Sequence, residues 1–396
     1  MQVTDIAVRR GSHECELSGN VRMDSFPKTF RLFFRLPLEV VDYLRASANP
    51  FIAALLLPSM RLHENLKVNA PASRKLLATL PRIMAVYHGW NHRFRTVRVD
   101  TNGGESLRTD APRSVGQFFS GGVDSFYTLN ANLIQQPNSA ERISHLILIH
   151  GFDIPLRDAA FFDRVYSMGK DVGNKCDVRV IKVVTNAKQL LKLAVTGQVV
   201  KTVTDGRQIT KIGAYVKHVT KTTATLKQAY YTRMSDQLLS WDMYFGAILA
   251  SVGLVLGDIF RRIYIPSSTA TTEMGPRGLY PWGSHPDLDP LWSTEQTSFI
   301  NHGSDRYRLE KVRSIVELDL ARQHLRVCWE MRDRAYTGGL SEFKTFPNAL
   351  TPELVRNINL ATPTARRFAI STLNQLQEKR ETLLADALAE ALQKNH

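Results

Sequence analysis

The residues Ser114-Val115-Gly116-Gln117-Phe118-Phe119 run without a linker into Ser120-Gly121-Gly122-Val123-Asp124-Ser125, and the amphipathic pattern FYTLNANL follows at once. An apolar strand that turns through two glycines straight into a helix is the arrangement that brings backbone N–H groups and the positive end of a helix dipole to an anion. Gly121 and Gly122 allow the tight turn and a close approach of the backbone. The hydroxyls of Ser120 and Ser125 add donors, and Asp124 beside a phosphate is suited to hold Mg²⁺. The alternative is a plain turn in which Asp124 and Ser125 only cap the helix. No G-x-x-x-x-G-K-[ST] loop occurs at this position, and no dinucleotide fingerprint is present.

Around this unit, VGQFF, HLILIH, VRVIKVV and RRIYIP form apolar, β-branched runs separated by helical patterns at 123–136, 157–174, 186–195 and 236–257. Strands alternating with helices predict an α/β fold, a parallel sheet with helices on both faces, over 111–302. Residues 1–110 read as a small N-terminal α+β domain, with strands in DIAVRR, CELSGNVRM and TFRLFFRLP and helices around Ile52 to Leu57 and Lys75 to Val86. Residues 303–396 read as a helical C-terminal region that ends in an amphipathic segment from Thr364 to Lys394.

A basic insertion, about 196–235, interrupts the α/β region with Lys201, Arg207, Lys211, Lys217, Lys221 and Lys227 spaced by β-branched residues and Tyr215. It reads as a hairpin, either a nucleic-acid surface or a solvated strand face. The formal net charge of +14 agrees with a polyanionic ligand but does not single out nucleic acid. The three cysteines, Cys15, Cys176 and Cys328, are too few and too far apart for a disulfide framework. With no apolar run long enough to cross a bilayer and no charged-then-apolar leader, the expectation is a cytoplasmic protein without a membrane partner.

FFSGGVDSFYTL resembles the S-G-G-x-D-S signature of the PP-loop ATP pyrophosphatase superfamily, the adenine nucleotide alpha hydrolase-like proteins. The resemblance implies ATP and Mg²⁺ as ligands, with Ser120, Gly121, Gly122, Val123, Asp124 and Ser125 around the pyrophosphate, and Asp124 and Ser125 as the catalytic pair. It also implies cleavage between the α- and β-phosphates, adenylation of an acceptor oxygen, and displacement of AMP by a nucleophile. Adenine and ribose would lie at the end of the next strand, at His150, Gly151, Phe152 and Asp153, which read equally as turn residues. Thr185 closes the third strand as either a ligand contact or a helix cap.

The segment YIPSSTATTEMGPRGLYPWGSHPDLDPLWSTE reads as a structured loop after a strand. Trp282 and Trp292 are candidates to stack on a flat acceptor, with His285, Asp287 and Asp289 as polar contacts, or else the tryptophans pack the loop down. This part of the chain is most similar to 7-cyano-7-deazaguanine synthase-like proteins, whose loop precedes a four-cysteine zinc site. Cys328 occupies the first ligand position, but Gly338, Ser341 and Lys344 stand where the other thiolates would be, so no zinc is expected.

The function expected is that of an ATP-dependent, AMP- and pyrophosphate-forming ligase acting on a small heterocyclic, carboxylate or protein-linked acceptor, with a nitrogen nucleophile. A tRNA-modifying protein with RNA as partner, and a non-catalytic nucleotide-binding protein with a protein partner, remain alternatives, and a homodimer is open.

Overall fold

The computed structural model describes residues 1–104, 114–137, 139–191, 239–268, 270–271, 282–326 and 389. Its strands are β1 Gln2–Arg10, β2 Glu14–Met23, β3 Phe26–Pro37, β4 Leu66–Val68, β5 Val99–Thr101, β6 Ser114–Phe118, β7 His145–His150, β8 Arg179–Thr185, β9 Phe260–Pro266 and β10 Ser298–His302. The helices are α1 Asn49–Leu62, α2 Arg74–Trp90, α3 Val123–Gln135, α4 Ala159–Cys176, α5 Trp241–Val255, α6 Arg308–Ile315 and α7 Asp319–His324. The basic insertion, the Cys328 region with Gly338, Ser341 and Lys344, and the segment from Thr364 to Lys394 apart from residue 389 lie outside the described residues.

All ten strands share one sheet, in the order β10-β9-β6-β7-β8-β3-β2-β1-β4-β5. The stretch from β10 to β8 is parallel throughout. Helices cover both of its faces, as alternation along the strands makes plain. Leu146 and Leu148 of β7 join the interior built by α3, α4, α6 and α7, whereas Ile147 between them joins the interior built by α1, α2 and α5. Burial on both faces explains why these strands read as continuous apolar runs.

Within this parallel part, β6 is first in sequence yet lies between β7 and β9, the second and fourth of its strands. The chain therefore leaves β6 toward one side for β7 and β8 and returns on the other side for β9 and β10. That reversal makes the carboxyl ends of β6 and β9 the topological switch point, the crevice position at which ligands of open α/β sheets bind.

The first 104 residues have no sheet of their own. Their strands β1 to β3 form an antiparallel meander that meets β8 through only two register pairs, Phe34 with Thr185 and Arg35 with Val184. Asn186 lengthens this short join by imitating a peptide group. Its Oδ1 accepts from the Phe33 N–H at 3.0 Å and its Nδ2 donates to the Arg31 carbonyl at 2.7 Å.

A second weld lies between α1 and α5. Pro58 inside α1 supplies no N–H, so the carbonyl of Ala54, four residues earlier, has no helical donor. The buried Tyr244 hydroxyl of α5 donates to that carbonyl. An unmatched buried acceptor would cost about 1–3 kcal/mol, so this bond compensates for the proline. Among the described residues no helix is long and apolar enough to cross a membrane.

Candidate functional site

The loop after β6 is shaped by the residues that mark it in sequence. Phe119 extends the β6 ladder by donating to the Ile147 carbonyl at 2.9 Å. Gly121 then takes φ +76°, in the left-handed region where a side chain is strained, and a Cβ there would sit 2.7 Å from Cε of Met168. Ser120 Oγ accepts from the Gly122 N–H at 3.2 Å, and Ser125 Oγ donates to the Gly122 carbonyl at 2.8 Å. Both serine hydroxyls thus brace the turn. Beneath it the buried Gln117 Nε2 donates to the Ser125 carbonyl at 2.6 Å, tying the start of α3 to its own strand. A helix start leaves its first N–H groups without intrahelical partners, and here they belong to the residues that follow the two glycines.

Asp124, in the first turn of α3, meets two cations that sequence reasoning did not single out. Arg308 Nη1 lies 3.1 Å from its Oδ2, and Lys311 Nζ lies 3.4 Å from its Oδ1. Lys311 is fully buried, and its ammonium also donates to the carbonyl of Ser267, just beyond β9. Burial lowers the Lys311 pKa, and the adjacent Asp124 carboxylate opposes that shift. Residues 308 and 311 are three apart on α6, so both reach the same side of the helix. The β6 loop, the end of β9 and the start of α6 therefore converge at the crevice.

The next two strand ends are built for packing. His150 is buried, with Nε2 3.0 Å from the Pro155 carbonyl and its ring stacked on Phe162 at 4.5 Å. Burial lowers its pKa. Gly151 has φ +113°, and a Cβ there would fall 1.9 Å from the Thr185 carbonyl, so the ends of β7 and β8 touch directly. Phe152 packs edge-on against Trp241 and Asp153 is exposed. The Thr185 hydroxyl donates to the Phe33 carbonyl at 2.7 Å and accepts from the Ala187 N–H at 3.1 Å. Of the two readings open for Thr185, the geometry is that of a cap and strand join, not of a group presented to a ligand.

The crossover from β9 to β10 scatters its five candidates. Trp292 is 0% exposed and belongs to the interior, so it cannot stack on an acceptor. Asp289 is also 0% exposed, accepting from Ser284 Oγ at 2.7 Å and Asn301 Nδ2 at 2.8 Å. Desolvation raises its pKa to about 7, against those hydrogen bonds. His285 is half-buried, close to Trp90, and accepts at Nδ1 from the Asp287 N–H, while the Asp287 side chain is exposed. Trp282 alone stays near the crevice, with its Nε1 donating to Ser268 Oγ at 3.2 Å, one residue beyond the Lys311 contact.

No protein-family model, curated protein or solved structure matches this chain.

Asp124 is the carboxylate of this loop that could hold a metal. Mg²⁺ is usually bound by one or two carboxylates together with substrate phosphates, so this donor set suits that ion and is too small for zinc. Both Asp124 oxygens face cations, yet a carboxylate has about four lone-pair positions and can accept further partners.

Proposed function

We propose that the chain is a PP-loop enzyme of the adenine nucleotide alpha hydrolase-like type, which binds ATP with its pyrophosphate end in the 120–125 loop. The observation that carries this reading is the convergence of a left-handed Gly121, a helix start and the Lys311–Asp124–Arg308 cluster at the crevice between β6 and β9. Anion-binding backbone and fixed cations at one point of an α/β sheet suit a phosphate chain, and nothing about them suits an apolar ligand.

In the proposed reaction an acceptor oxygen attacks the α-phosphorus, the α–β bond breaks and pyrophosphate leaves. A nitrogen nucleophile then displaces AMP from the adenylated acceptor. Catalysis of such a displacement comes chiefly from fixed charges aimed at the leaving group. The residues for that task are the 121–125 backbone with Lys311 and Arg308. Mg²⁺, held by Asp124 and the phosphates, would neutralise further charge. Lys311 needs no reorganisation to act, because burial and the Ser267 carbonyl already hold its ammonium.

The acceptor is proposed to be a small heterocyclic, carboxylate or protein-linked group, with Trp282 the remaining aromatic candidate for its wall. The test is product analysis after incubation with ATP, Mg²⁺ and a panel of such acceptors. AMP and pyrophosphate are expected, and ADP with inorganic phosphate would contradict the proposal. ATP binding without turnover across the panel would favour the non-catalytic nucleotide-binding reading.

A further inference from the structure

Beyond α7 the chain returns to the β6 loop. Leu325 is buried in the interior shared by α3 and α4, which anchors the segment, and the Arg326 N–H donates to the Gly121 carbonyl at 2.6 Å. The guanidinium of Arg326 lies on the same loop, with Nη1 donating to the Ser120 carbonyl at 3.4 Å and its carbon 6.0 Å from the centre of the Phe161 ring. Its Nε and Nη2 are shielded from solvent and have no hydrogen-bond partner among the described residues. Leaving such donors unmatched costs free energy, and a charged group makes the cost larger. An arginine held by its backbone to a glycine turn, with a weak bond on one nitrogen and none on two others, has no anionic acceptor among the described residues.

We infer that Arg326 is a pyrophosphate ligand of the 120–125 loop, supplying from the C-terminal side a planar, two-pronged donor in addition to the Lys311 ammonium and the Arg308 guanidinium, both of which are paired with Asp124. This rests on the nucleotide reading above. The chemistry it recognises is a pair of phosphate oxygens, because the guanidinium fork matches that geometry whereas an ammonium acts as a point charge. The ligand class is therefore free pyrophosphate or the terminal phosphates of a nucleoside triphosphate, and AMP, which has only the α-phosphate, lies beyond its reach.

The experiment is titration calorimetry of the full chain with inorganic pyrophosphate plus Mg²⁺, and separately with AMP, for wild type, Arg326→Gln and Arg326→Lys. Circular dichroism and thermal unfolding establish that each variant is folded. Arg326→Gln is expected to weaken pyrophosphate binding by about tenfold or more, the equivalent of one charge-assisted bond, and to leave AMP unchanged. Arg326→Lys is expected to recover part of the loss. Unchanged pyrophosphate affinity in folded Arg326→Gln overturns the role of Arg326 alone. Absence of both pyrophosphate and AMP binding in wild type overturns the nucleotide reading as well. An equal loss for AMP and pyrophosphate in Arg326→Gln overturns the role of Arg326, since that pattern belongs to a general distortion of the site.

Discussion

Two loops leave neighbouring strands, β6 and β9, at the same carboxyl end of the sheet, and each contains an aspartate that sequence alone marks as functional. Asp124 in the first is bound by Arg308 and Lys311 and retains contact with solvent. Asp289 in the second is sealed from solvent, is held by neutral donors, and is shifted up to about 7. Composition treats the two as equals, but electrostatics separates them. A carboxylate among fixed cations at a crevice can work on a phosphate chain, whereas one held by Ser284 and Asn301 in the interior organises a fold.

This contrast is sharpest where substitution should cost stability and not binding. Trp292→Ala is expected to destabilise by about 3–5 kcal/mol, read by urea unfolding, because it empties a fully buried aromatic site. A stable variant with a weakened acceptor KM would return Trp292 to the functional site.

Asp289 gives a pH signature of a few kcal/mol. Its folded pKa of about 7 lies above the ordinary value of 3.8, so the folded state binds the proton more tightly than the unfolded chain does. The stability it confers is present at acid pH and declines as pH rises between these two values, by about 2–4 kcal/mol in all. Asp289→Asn should flatten that decline in denaturation midpoints between pH 4 and pH 7, and an unaltered slope would contradict the assignment.

Lys311→Met tests the other loop. It removes a buried cation, and it should lower ATP affinity by about 2–3 kcal/mol in calorimetry, the cost of a lost charge-assisted bond. Retained affinity would mean that Lys311 serves only to neutralise Asp124. The smallest effect is expected from Tyr244→Phe, at about 1–3 kcal/mol of stability with no change in nucleotide binding, because the hydroxyl compensates for Pro58 far from the crevice.

Much of the fold is legible in sequence because the physics that builds it is local or doubly apolar. The runs at 115–119, 145–150, 178–184 and 261–266 are strands because both faces are covered, and the three N-terminal runs match β1 to β3. β4 and β5 have three residues each, too few for a period to register, and only Phe299 of β10 is buried. The join of the meander to β8 depends on Asn186 acting as a peptide across more than 150 positions in sequence, which no local pattern announces.

The same division holds at the site. The 120–125 turn is visible because glycine spacing and strand-to-helix succession are sequence properties. Lys311 and Arg308 sit in RLEKVRSI, which reads as an ordinary solvated helix, and only tertiary packing buries Lys311 beneath Asp124. The one usable signal was two cations spaced i, i+3 on that helix. Trp292 and Asp289 erred in the opposite sense, since chemistry-bearing residues can be spent on packing.

The most direct test of the account is thermal unfolding of wild type and Asp124→Asn with saturating ATP and Mg²⁺. Ligand at about a hundred times its dissociation constant is expected to stabilise wild type by about 2–3 kcal/mol, and Asp124→Asn to lose most of this shift. No shift in folded wild type, or the same shift in both proteins, would contradict the assignment of the β6 loop as the nucleotide site.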